Sequence, residues 1–250
     1  MIDFAITRKP GKNFSKGLTT QKLGKPSYEK VIEQHKNYCN ALKKCGLKVI
    51  ILEPEESFPD CPFVEDTAIV TKKCAIITRL GDDTRKGEEA KIKEILSKHR
   101  KIENINAPGT VDAGDILRIE NKFFIGVSKR TDENGANQLS SILKKYGYES
   151  VKIHVKNVLH LKTGITYIGN NTVVLTEEFS NIKEFKDFKK IVVDAKESYA
   201  ANCLLINNTL LIPKGFKKLK EKLKDYKIIE VEMSEFRKMD GGLTCLSILF

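Results

Sequence analysis

The chain repeats a small architectural unit, and that repetition constrains its fold more than any single motif does. A short β-type run, a polar turn and a second run recur as TAIV-TKK-CAIITRL, ILRI-ENK-FFIGVS, GITYI-GNN-TVVLT and CLLI-NNT-LLIP. Asn, Gly and Lys at the turns suit tight hairpins, and β-branched residues suit the arms. A fifth run, CLSILF, meets the C-terminus, and DFAIT near the N-terminus supplies a strand to complete it. The first arms start at or near Asp66, Asp115, Leu161, Cys203 and Cys245, whose numbers lie 49, 46, 42 and 42 apart. Helical segments separate the hairpins. Ser27 is placed to cap a helix with Val31, His35, Tyr38 and Leu42 on one stripe, stopped at Gly46. Further helices are expected from about Glu88 to His99, around Leu139, Ile142, Leu143 and Tyr146, at Phe185 and Phe188, and at Phe216, Leu219 and Leu223. Five similar ββαβ modules predict an α/β fold closed into a pseudo-symmetric five-bladed propeller, one domain over 1–250. No GxGxxG follows a strand, which argues against a dinucleotide-binding sheet.

Composition narrows the function classes. Hydrophobic residues make up 40% and charged residues 31% of 250 positions, interspersed rather than segregated, which excludes long disorder. The 44 basic and 33 acidic residues give +11. The lysines alternate with glutamates along helical stretches such as KIKEILSKHRK, so a solvated helix face explains them better than a nucleic acid does. No apolar run is long enough for a bilayer, and MIDFAITRKPGKNF has no signal-peptide core. The expectation is a soluble cytoplasmic protein without a membrane or nucleic-acid partner. The six cysteines form no CxxC, so no structural zinc site is written here. Cys39, Cys45, Cys74 and Cys203 lie in apolar patterns and read as small buried hydrophobes.

If equivalent strand starts converge on one mouth of the ring, then Glu65, Asp66, Asp112, Asp115, His160, Asn202 and Cys245 share one pocket. Cys245 follows Gly241-Gly242-Leu243-Thr244 and precedes a buried run; it is either a structural thiol or a nucleophile, and a nucleophile needs a nearby base. His35 and His99 fall on helix stripes, and His154 lies in an alternating strand with a surface phase. His160 is therefore the best candidate base, although a lone histidine in apolar context is also satisfied by a backbone partner. The acids in GTVDAGDIL serve as turn formers or orient an imidazole. In PDCPFVEDT, acids abut apolar residues, which is costly unless a cation joins them. A guanidinium fits that demand.

PDCPFVEDTAIV, ITRLGDDTRKGE, VDAGDILRIENKFFIGVSKRTDENGA, LHLKTG, AANCL and MDGGLTCLSIL together resemble the dimethylarginine dimethylaminohydrolase family. That family lies in the guanidine-modifying, or pentein, superfamily of five-bladed α/β propellers. The resemblance implies Cys245 as nucleophile, His160 as acid–base and Asp112 as its orienting carboxylate. It implies that Asp60, Glu65 and Asp66 hold the guanidinium and that Arg85 and Arg130 bind the α-carboxylate. Leu18 matches a lid residue near the α-amino group, and Met239 contacts that group through its backbone. The implied reaction converts methylated arginine to citrulline and an alkylamine through a thiouronium, without a metal or organic cofactor. A small-molecule guanidine is then the only required partner, with the chain a monomer or homodimer. Two alternatives remain: an arginine deiminase or other guanidine hydrolase, and a ribosome-binding anti-association factor of the same fold.

Overall fold

The computed structural model describes residues 2–250. Their strands form five three-stranded sheets, each with one antiparallel and one parallel neighbour pair. β1 (Phe4–Arg8) leads through α1 (Tyr28–Lys44) to its parallel neighbour β2 (Lys48–Leu52). The second blade holds β3 (Ala68–Val70), β4 (Cys74–Ile77), α2 (Glu89–Leu96) and β5 (Lys101–Asn104). The third holds β6 (Ile116–Ile119), β7 (Lys122–Val127), α3 (Glu133–Lys145) and β8 (Glu149–His154). A single turn, α4 (Leu161–Gly164), opens the fourth, followed by β9 (Ile165–Tyr167), β10 (Thr172–Leu175) and β11 (Lys189–Val192). The fifth contains β12 (Leu204–Ile206), β13 (Thr209–Pro213), α5 (Lys217–Lys222) and β14 (Lys227–Val231). After α6 (Ser234–Arg237), β15 (Ile248–Leu249) pairs antiparallel with β1, Ala5 opposite Leu249 and Ile6 opposite Ile248. The two ends of the chain thus complete one blade, as the repeat arithmetic requires.

Each crossover follows from local chemistry. The Ser27 hydroxyl accepts from the Lys30 amide, and Val31, His35, Tyr38 and Leu42 are all buried, while Gly46 takes the left-handed conformation that ends α1. Asp132 caps α3 the same way, accepting from the Gly135 amide. The expected fourth helix is absent. Two 3-10 turns, Glu177–Phe179 and Lys183–Phe185, replace it. Ser180 and Asn181 interrupt the segment, and short polar side chains that compete for the backbone leave too few residues to nucleate a helix. Phe185 is buried regardless, its ring 4.9 Å from that of Phe124. The second helix ends at Leu96, so His99 lies outside it, exposed, with its ring centroid 5.5 Å from Phe4 and 5.2 Å from Phe250. His154 is exposed on β8.

All six cysteines are free. Cys39, Cys74 and Cys203 are buried as expected, but Cys45 is only half-buried because it caps the exposed end of α1. No helix among the described residues is long and apolar enough to cross a membrane. Because Ile6 is fully buried on the strand that receives β15, its loss should loosen the closure. Ile6→Ala should lower unfolding free energy by about 2–5 kcal/mol in urea titrations. A change below about 1 kcal/mol would mean that the closing sheet contributes little packing.

Candidate active site

The starts of the first strands do meet at the centre. Val64–Thr67 forms a 3-10 turn into β3, Ala113–Asp115 one into β6, and Thr244–Leu246 one before β15. His160 precedes α4 in extended conformation. Cys245, His160, Asp66, Arg85 and Arg130 line one cavity of about 190 Å³, together with Leu18, Asp60 and Met239. Asp112 lies behind it, fully buried, with its Oδ2 3.2 Å from His160 Nε2 and its Oδ1 accepting from the Gly81 amide at 2.8 Å.

Adjacent residues on the Val64–Thr67 turn face different ways. Asp66 turns into the pocket, accepting from Arg85 Nη1 at 2.7 Å and from the Gly114 amide at 2.9 Å. Gly114 is required there, since a Cβ would stand 2.7 Å from His160 Nδ1 and 2.8 Å from Asp66 Oδ1. Glu65 turns away, accepting from Lys162 Nζ at 2.6 Å and Thr244 Oγ1 at 2.7 Å, and lines a separate central cavity. Of the three acids expected to hold a guanidinium, Asp60 and Asp66 border this pocket, while Glu65 stands behind the turn, near enough to act on the Cys245 thiol. The Asp60 carboxylate is engaged by the backbone amide of Leu18 at 3.0 and 3.2 Å.

The two arginines differ. Arg85 is buried, donating through Nε and Nη2 to Glu88, through Nη2 to the Phe63 carbonyl and through Nη1 to Asp66. Arg130 Nη1 is buried without a hydrogen-bond partner, 3.5 Å from Asp82 and 3.9 Å from Asp112. Ser128 Oγ accepts from the Arg130 and Thr131 amides, and both Ser128 and Thr131 donate to the fully buried Asp115, which also accepts from the Leu161 amide. Sequence reasoning missed Glu88; its only signal was the i,i+3 spacing from Arg85.

The charges set protonation. Burial opposes a charged His160, but Asp66, Asp115 and Asp112 raise it to about 9. Burial likewise opposes a charged Asp66, but the His160 imidazolium, Arg85 and the Gly114 amide hold it down to about 2. Cys245 is partly open to the pocket, yet enough protein surrounds the sulfur that burial, with Glu65 and Asp66, pushes the thiol up to about 12. The Gly242 amide, donating to Sγ at 3.3 Å, acts the other way. Asp66, Asp112 and His160 offer donor atoms within 4.8 Å of one another, the spacing of a metal site. The chemistry of the set is different: Arg85 already neutralises Asp66 and the imidazole bonds Asp112, and the charge the set favours is a proton on His160.

A five-bladed α/β propeller with thiol, imidazole, carboxylates and guanidinium groups around a central pocket defines a member of the guanidine-modifying enzymes. Residues 6–209 match the family described as N,N dimethylarginine dimethylhydrolase, eukaryotic. The chain is 43% identical over 254 residues to N(G),N(G)-dimethylarginine dimethylaminohydrolase of Pseudomonas aeruginosa, covering 100% of both chains. Against the Streptomyces coelicolor enzyme it is 31% identical, covering 98% of this chain and 95% of that one. Among solved structures, a cysteine-to-serine variant of the Pseudomonas aeruginosa protein complexed with citrulline superposes with TM-score 0.99 at 43% identity, over 100% of both chains. The N-terminal domain of ArgZ, a cyanobacterial arginine dihydrolase, shares the fold at TM-score 0.88 and 20% identity, over 100% of this chain and 98% of that one. The chain belongs to the dimethylarginine dimethylaminohydrolase family.

With the pocket empty, Cys245 should be a neutral thiol and His160 an imidazolium at neutral pH. The ultraviolet thiolate absorbance of the protein, less that of Cys245→Ser, should be absent at pH 7 and rise only as pH nears about 12. A Cys245 thiolate already formed at pH 7 would contradict the assigned electrostatics.

Proposed function

We propose that this protein hydrolyses Nω-methylated arginine to citrulline and an alkylamine, with Cys245 as nucleophile, His160 as acid–base and Asp112 as its orienting carboxylate. The observation that carries this reading is the meeting of Cys245, His160 and the ionised Asp66 in one pocket that also holds Arg130. Asp66 takes the guanidinium of the substrate. Asp60, bound to the Leu18 amide, suits the α-ammonium group, with Met239 beside it on the pocket wall. Arg130, whose Nη1 lacks a partner, suits the α-carboxylate, and Arg85 adds a second positive charge.

The reaction follows from the charges. A bound guanidinium offsets the acids that suppress ionisation of Cys245, so the thiol releases its proton to solvent when substrate arrives. The thiolate forms a bond to the central guanidinium carbon. His160, already protonated, delivers its proton to the dimethylamine nitrogen as the C–N bond breaks, leaving an S-alkylthiouronium. The neutral imidazole then takes a proton from water, whose oxygen adds to the same carbon. The C–S bond breaks with its electron pair on sulfur, which takes up the proton of the added hydroxyl as the carbonyl forms, releasing citrulline and restoring the thiol. Asp112 holds the ring and favours the imidazolium.

A citrulline assay across dimethylarginine, arginine and agmatine tests the reading, and turnover of dimethylarginine should exceed that of the others. Arg130→Ala should cost about 2–4 kcal/mol in kcat/KM for dimethylarginine. A decarboxylated substrate should lose little by the same change. Equal losses on both would assign Arg130 a structural role, and no citrulline from any guanidine would remove the hydrolase reading.

A further inference from the structure

We propose that Asn202 is a positioning residue for the nucleophile, fixing the turn that carries Cys245 through Thr244 and Gly242; this rests on the reading of Cys245 given above. Asn202 begins the fifth blade between the Ala195–Ala201 turn and β12, and it is 5% exposed. It is not among the described residues that line the pocket, so it reaches the reacting atoms only through its neighbours.

Its amide is fully used. Oδ1 accepts from the Thr244 backbone N–H at 3.0 Å, while Nδ2 donates to the Lys162 carbonyl at 2.9 Å and to Thr244 Oγ1 at 3.1 Å. Only this orientation of the amide matches an N–H on one side and a carbonyl on the other. One side chain therefore ties the residue before Cys245 to a residue two positions after His160. The Thr244 hydroxyl passes its own proton to Glu65 at 2.7 Å, and Glu65 accepts from Lys162 Nζ at 2.6 Å. Four strand starts are joined in one closed circuit beneath the thiol. Gly242 links the amide to the sulfur. A Cβ there would stand 2.6 Å from Asn202 Oδ1, so the glycine lies flat against the amide, and its N–H is the one that donates to Cys245 Sγ. Asn202 thus sets both the residue preceding the nucleophile and the backbone donor to its sulfur.

A misplaced nucleophile loses rate rather than affinity, because the groups proposed to hold the amino-acid end of the substrate belong to other segments. The test measures kcat and KM with dimethylarginine, and the dissociation constant of citrulline by calorimetry, for Asn202→Ala, Asn202→Asp and Cys245→Ser. Asn202→Ala should lower kcat about 10- to 100-fold while KM and citrulline affinity stay within about 3-fold. Asn202→Asp keeps the volume and the acceptor for the Thr244 amide but loses both donated bonds and sets a buried carboxylate against the Lys162 carbonyl and near Glu65, so its kcat should fall at least as far as that of Asn202→Ala. Should the alanine variant fail to fold, a selective kcat loss in Asn202→Asp supports the proposal and its absence overturns it. A kcat within 3-fold of wild type, or parallel loss of kcat, KM and citrulline affinity, overturns the positioning role. If Cys245→Ser is inactive while Asn202→Ala keeps full kcat, only this proposal fails; an active Cys245→Ser removes the nucleophile reading as well.

Discussion

A carboxylate removed from water must find its solvation in the protein, and at Asp66 that need organises the whole pocket. The Gly114 amide, the Arg85 guanidinium and the nearby His160 imidazolium supply it, and together they keep the group ionised. The same negative charge reaches outward: it helps raise His160 to about 9 and helps push Cys245 up to about 12. Resting thiol and resting imidazolium are thus two consequences of one buried charge. In the proposed reaction a cationic substrate changes the balance, which would tie ionisation of Cys245 to occupancy of the site.

The propeller supplies this arrangement by symmetry. Each blade delivers the start of its first strand to the axis, so residues as distant in sequence as Asp66, Asp112, His160 and Cys245 arrive together without a long loop. Pairing of β1 with β15 is what allows the Cys245 turn to stand opposite the others. Below the pocket, Glu65, Lys162, Asn202 and Thr244 cross-link the same strand starts, so the groups proposed to react rest on the ones that tie the blades together.

Much of this was legible in the sequence because it depends on local signals. Hairpins show through turn residues, α1 and α3 through caps and stripes, and the convergence of Cys245 with His160 through the phase of the repeat. What was hidden depends on direction and long-range pairing. Phe185 and Phe188 have helical spacing, yet Ser180 and Asn181 break the segment into 3-10 turns, and Phe185 is buried and Phe188 half-buried without a helix. Glu65 and Asp66 are neighbours of the same charge, and only the turn geometry sends one to the pocket and the other to Lys162. Glu88 looked like the start of a helix, while its carboxylate is taken up by Arg85.

The central claim is that Cys245 becomes covalently attached to the guanidinium carbon during turnover. Acid-quenching the enzyme during reaction with dimethylarginine, then measuring the peptide that contains Cys245 by mass spectrometry, tests it directly. The account predicts an adduct on Cys245 with the mass of dimethylarginine less dimethylamine. Steady citrulline release with the adduct on another residue, or with Cys245 replaced by serine, would contradict it.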